Sequence, residues 1–169
     1  AQAREEEIWS NRQRYGHDGL WMAQLGFGVH HAVVLGECPE VPGGCAGGEL
    51  FTTSLHVGRA LPDIPGFELR AGLDLTTGTI LGIGMSIGAV WQDNFFHEDV
   101  FLGVNGEIGA VFTISGSRDA AFRGQLAPTI SWRPLAHFSI EAQLEMGILT
   151  AGAGAFTIGG SAHVAYRFD

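Results

Sequence analysis

The sequence predicts an all-β chain: an eight-stranded antiparallel up-and-down transmembrane β-barrel over residues 18–169, with a short N-terminal extension over 1–17. Three observations predict it. Apolar residues recur at every second position through most of the chain. The face opposite them is small, polar and rich in glycine. The aromatic residues of the apolar face gather at the two ends of the strands.

Composition narrows the class. Charged residues make up 16% of the chain, against about 25% in ordinary soluble domains. The nine basic residues are all arginine and the net charge is -9. An acidic, lysine-free chain lacks the basic footprint that nucleic-acid binding needs. It also lacks the lysines that soluble β-proteins use to protect sheet edges. No apolar run approaches the roughly 20 residues of a membrane helix, which leaves strands as the only candidate spans, since barrel strands give a weaker signal.

The extension AQAREEEIWSNRQRYGH differs from all that follows. Its acids come early and its arginines late, the order a helix dipole prefers, so it reads as a short helix, a plug or a tail. Ala1-Gln2-Ala3 resembles the small-residue pattern at a signal-peptidase site, which leads us to expect a mature, exported chain. Strands are expected over about 20–35, 50–60, 67–76, 79–91, 99–114, 121–132, 137–149 and 155–168. Turn signals separate them: ECPEVPGGCAGGE, LPDIPG, TTG, QDNFFHED, SGSRDA, RPLAH and AGAG. Links this short favour a meander over crossovers. The stretch HFSIEAQLEMGIL shows the period of two most plainly. Phe138, Ile140, Ala142, Leu144, Met146 and Ile148 share one face, opposite His137, Ser139, Glu141, Gln143, Glu145 and Gly147. Cys38 and Cys45 bracket a Pro- and Gly-rich loop and are expected to form a disulfide in an oxidising compartment.

Two arguments turn the apolar face outward. Its side chains number roughly forty, more than the interior of an eight-stranded barrel holds. The polar face instead carries Gly26, Gly28, Gly72, Gly84, Gly103 and Gly109, among others, and glycine in a strand marks tight space. The second argument is height. One end of the apolar face carries Trp21, Phe67, Trp91, Trp132, Phe138, Tyr166 and Phe168; the other carries Phe51, Phe112, Phe122 and Phe156. Two aromatic belts around an aliphatic band are what the two interfaces of a bilayer select. Pro128, His31 and Thr53 interrupt the band.

On this pattern, residues 20–168 resemble the small eight-stranded outer-membrane β-barrels of Gram-negative bacteria, the OmpA/OmpX/OmpW type. The resemblance implies an integral outer-membrane location, termini and short turns on the periplasmic side, and an aromatic residue near the C-terminus for assembly. Here Phe168 is penultimate and Asp169 follows it.

Inward positions are expected to hold a polar network of Glu68, Arg70, Asp74, Glu107, Arg123, Glu141, Glu145, His163 and Arg167. Buried charges must be paired, and neighbouring strands suggest Glu141 with His163 and Glu107 with Arg123. A structural network filling the lumen is the first reading; a proton or ion path is the second. His137, Ser139 and Glu141 offer a set for lipid-modifying chemistry, but residues two apart on a strand stand roughly 7 Å apart. His30 and His31 fall on opposite faces, so no metal or cofactor set emerges. The expected function is therefore non-enzymatic: an outer-membrane barrel that anchors or scaffolds an envelope assembly. Its expected partners are outer-membrane lipid and a protein met through residues 1–17 or the periplasmic turns. A narrow pore, a lipid-modifying enzyme and a soluble lipocalin-like barrel are the competing readings.

Overall fold

The computed structural model describes residues 21–36, 48–64, 66–97, 99–114, 120–135, 137–150 and 154–168. The N-terminal extension and both cysteines lie outside them. Eight strands form one closed barrel in chain order: β1 (Trp21–Val34), β2 (Gly48–Ala60), β3 (Phe67–Gly78), β4 (Gly82–His97), β5 (Val100–Thr113), β6 (Ala120–Leu135), β7 (Phe138–Thr150) and β8 (Ala155–Phe168). Every neighbour is antiparallel, and β8 closes on β1 from Trp21↔Phe168 to Val34↔Ala155. Closure leaves no free edge, which is what a sheet in lipid requires.

Two strands run further than their turn signals suggest. The fourth strand was expected at 79–91 and the sixth at 121–132. Instead β4 continues to His97 and β6 to Leu135. Both extensions pass through irregularities in the ladder, between Asp93 and His97 and between Trp132 and Leu135. A bulge lets a strand carry polar residues or a proline, here Pro134, without ending. At the other side β4 starts late, because Gly78 takes a left-handed φ of 116° and residues 79–81 make the connection. Pro128 leaves its own mark: β6 pairs with β7 at Leu126↔Met146 and Thr129↔Gln143, with no pairing between them.

Outward side chains are the bulky ones. Leu25, Leu55, Leu73, Ile87, Ile108 and Leu144, spread around the wall, are all exposed. The expected aromatics sit on this face at its two ends, and at the end where β1 begins three pairs are in register: Phe67 opposite Trp91, Phe138 opposite Tyr166, and Trp21 opposite Phe168. Arg59 lies over the Trp21 ring, 5.2 Å from its centroid. An exposed apolar surface this continuous has lipid as its solvent.

The inward face is crowded. A Cβ added at Gly72 would meet the His56 ring, with the Ser86 hydroxyl at 2.9 Å. Outward-facing Gly106 has nothing within 4 Å of an added Cβ. Gly72→Val is therefore expected to lower stability by about 1–3 kcal/mol through overpacking. Gly106→Ala is expected to be neutral or stabilising, since it removes only unfolded-state freedom. Denaturant midpoints in detergent micelles test the pair; equal losses at both sites would contradict the assignment of faces.

Candidate functional site: the lumen network

The barrel interior is the only place among the described residues where many polar side chains converge. It has three layers. The layer at the end where β1 begins, the turn end, contains Met22, Ala60, Val90, Phe101 and Ala165, all buried. The opposite, loop end is closed by Ala32, Leu50 and Ala155 beside Val111, Ala121 and Leu149, with Ile80 packed on both groups. Between these apolar ends lies the charged middle. The sequence reading made the inward face polar along its whole length. The structure corrects this: buried apolar residues line both ends of the lumen, where the strand pattern admits a bulky inward side chain.

All nine expected network residues point inward, in two groups. In the half nearer the turn end, Arg70 is the hub. Its Nε donates to Glu68 at 2.6 Å, and its two terminal nitrogens donate to the two Glu141 oxygens at 2.9 and 3.2 Å. Gln24 and Gln92 also donate to Glu141, at 3.3 and 2.7 Å, and Gln143 donates to it at 2.6 Å. Arg167 donates to Ser139 at 2.8 Å and lies 3.5 Å from Glu68. A carboxylate that accepts this many bonds, one pair of them bidentate, is held in one position.

In the half nearer the loop end, Arg123 donates to Asp74 at 2.5 Å and lies 3.8 Å from Glu107. Asn105 donates to Glu107 at 2.8 Å. Glu145 accepts from Ser161 and stands 3.4 Å from His30 and 3.9 Å from His163. His56 lies 3.8 Å from Glu107, and its ring centroid is 6.1 Å from that of His163.

The expected pairings follow adjacent strands, and the structure redistributes them. Glu141 and His163 are register partners, yet Glu141 bonds Arg70 on β3. Arg123 is closer to Asp74 than to Glu107. An eight-stranded lumen is narrow enough for opposite walls to touch through side chains, so the strongest pairs span the bore. Arg133 and Gln92 belong to the network but were not expected in it. Arg133 donates to Gln92 at 2.5 Å and stacks over Phe101, 4.1 Å from the ring centroid. Both lie on the strand extensions read as turns; the signal that could have found them is alternation, since each follows an outward tryptophan.

The set His137, Ser139 and Glu141 is not assembled for catalysis. His137 Nδ1 lies 3.0 Å from the Arg167 carbonyl oxygen, Ser139 accepts from the Arg167 guanidinium, and Glu141 is held by Arg70. A base must reach its nucleophile, and here Arg167 occupies both. A second combination does come together: Ser161 Oγ is 2.7 Å from His163 Nε2. Its carboxylate, Glu145, bonds the serine and not the far ring nitrogen, the reverse of a triad relay. Both serines are buried and face the lumen, away from the bilayer.

Among the described residues, small voids of about 30, 20 and 10 Å³ lie between the lumen side chains. One water needs roughly 10–15 Å³, so each has room for a water or two at most.

The chain is similar in fold to solved membrane barrels. Against Neisserial surface protein A (NspA) it is 13% identical, with 88% of this chain and 97% of that chain covered and a TM-score of 0.61. Against a de novo designed transmembrane β-barrel it is 11% identical, covering 89% and 96%, with a TM-score of 0.52. No family profile matches the chain, and no curated protein resembles it in sequence. At these identities the likeness is one of fold alone: a closed barrel like those of solved transmembrane barrels.

Proposed function

We propose that the chain is an integral barrel of a Gram-negative outer membrane, that it anchors or scaffolds an envelope assembly, and that it neither conducts solutes nor catalyses a reaction. One observation carries this reading: the lumen is filled by its own side chains and stoppered by apolar residues at both ends. A conducting path needs continuous polar lining and width; the apolar layers at both ends and the small voids among the described residues weigh against one. Most connections are short: residues 79–81 join β3 to β4 and 98–99 join β4 to β5, while 35–47 make the one long link. Short links give little surface beyond the bilayer, so contacts with a partner are expected at the chain ends, the periplasmic turns or the barrel wall.

Planar-bilayer recording tests the proposal. The purified barrel is expected to give no stepwise current. Steady single-channel currents that change on Glu107→Gln or Arg123→Gln would overturn it in favour of a narrow pore.

A further inference from the structure

We propose that the half of the lumen nearer the loop end holds a bound water, seated in a polar niche among His56, Glu107, His163 and Glu145 and completing their hydrogen bonds. The proposal concerns how the lumen network is satisfied and does not rest on the anchoring role.

The two halves of the network differ in how their charges meet. Nearer the turn end, Glu141 takes direct hydrogen bonds of 2.6 to 3.3 Å from Arg70, Gln24, Gln92 and Gln143. Nearer the loop end, three polar pairs stop just short. Glu107 stands 3.8 Å from both His56 and Arg123, and Glu145 stands 3.9 Å from His163. A direct hydrogen bond does not reach that far, and a polar contact of this length is one that a water bridges. A carboxylate offers about four acceptor sites, and Glu107 has a direct donor in Asn105 at 2.8 Å. The unpaired atoms lie in the same place. Among the described residues, neither ring nitrogen of His56 has a hydrogen-bond partner, nor has Nδ1 of His163. Both side chains are buried, and a buried polar group left unpaired is costly enough that native structures satisfy it. Two glycines make room for these rings: a Cβ on Gly72 would meet His56, and one on Gly26 would meet His163.

The niche between these residues has the size and the lining for one water. Its volume is about 20 Å³, and every side chain around it is polar or charged, Ser54 and Thr52 among them. A water needs roughly 10–15 Å³ and two to four polar partners. The void of about 30 Å³ is walled partly by Leu50, Ile80, Val111 and Leu149, and a site suits water only where its lining is polar. Hydrogen-bond chemistry selects the ligand as well. It must accept from an imidazole N–H and donate to a carboxylate, which a water does and a bare cation does not.

Deuteron magnetic relaxation dispersion supplies the test, because it counts the waters that a folded protein holds for longer than nanoseconds. Ser54→Val fills the niche from β2 without adding a charge, and gel mobility shows whether the variant folds. In detergent micelles the wild-type barrel is expected to hold about one more long-lived water than Ser54→Val. A second readout needs the wild type alone. With isotope-labelled histidine, a slowly exchanging ring N–H of His56 or His163 is expected to show magnetisation transfer from a water that tumbles with the protein. Equal water counts in the two folded proteins would overturn the proposal. So would the absence of any such transfer to either ring in the wild type. Either result would leave a silent bilayer recording untouched, so failure here is distinguishable from failure of the anchoring reading.

Discussion

Arg70→Met is expected to destabilise the folded barrel by about 3–5 kcal/mol, the cost of breaking a buried ion pair from one side. Arg70 is 4% exposed and binds Glu68 and Glu141 at once. Removing it leaves two carboxylates in a buried interior, supported by Gln24, Gln92, Gln143, the more distant Arg167 and the charge of Arg133. Methionine fills much of the volume, so the loss reports charge and not cavity. The triple change Arg70→Met/Glu68→Gln/Glu141→Gln removes the stranded charges and is expected to recover most of the loss. Equilibrium unfolding in detergent micelles or thin vesicles reads both. A single variant as stable as the wild type would mean that water reaches the hub and that the lumen is open.

The second large effect lies on the other face. Leu73→Arg is expected to cost about 2–4 kcal/mol, the value for a cation on the lipid face near the bilayer midplane. Leu73 points outward, paired with Leu55 on one side and Met85 on the other, midway between the belts. Arg at position 53, nearer the loop end, is expected to cost less, since the penalty falls toward the interface. Folding into phospholipid vesicles at graded denaturant measures the difference. In a water-facing barrel Leu73→Arg would be neutral or helpful, so an unchanged midpoint would place this face in water.

These two residues also show what the sequence made legible. Leu73 and Arg70 fall on opposite faces by parity alone, and parity is robust because a slip of one residue would reverse every side chain. The strand count, the direction of each face and the two aromatic belts follow from the same period of two. Strand ends were less legible. QDNFFHED and RPLAH carry turn-forming residues, yet bulges absorb them, and Gln92 and Arg133 thereby join the network. Pairing across the bore was not legible either. Periodicity assigns a residue to the lumen, and register assigns its strand neighbour, but neither says which opposite wall a long side chain reaches. Arg70 with Glu141 and Arg123 with Asp74 are contacts of that kind. The apolar stoppers were missed for a further reason: Phe101 and Val111 stand on inward positions next to glycines and polar residues, and an inward phenylalanine looks like an exception until the mouth is seen to need closing.

The central claim is that the bulky apolar face meets lipid. The most direct measurement is the gel mobility of detergent-purified protein, unboiled against boiled, beside a sample freed of detergent. The account predicts an SDS-resistant fold whose mobility changes only on heating, with aggregation once detergent is withdrawn. A soluble monomer without detergent and without a heat-dependent shift would contradict it, because the exposed leucines, isoleucines and phenylalanines of the wall would then face water.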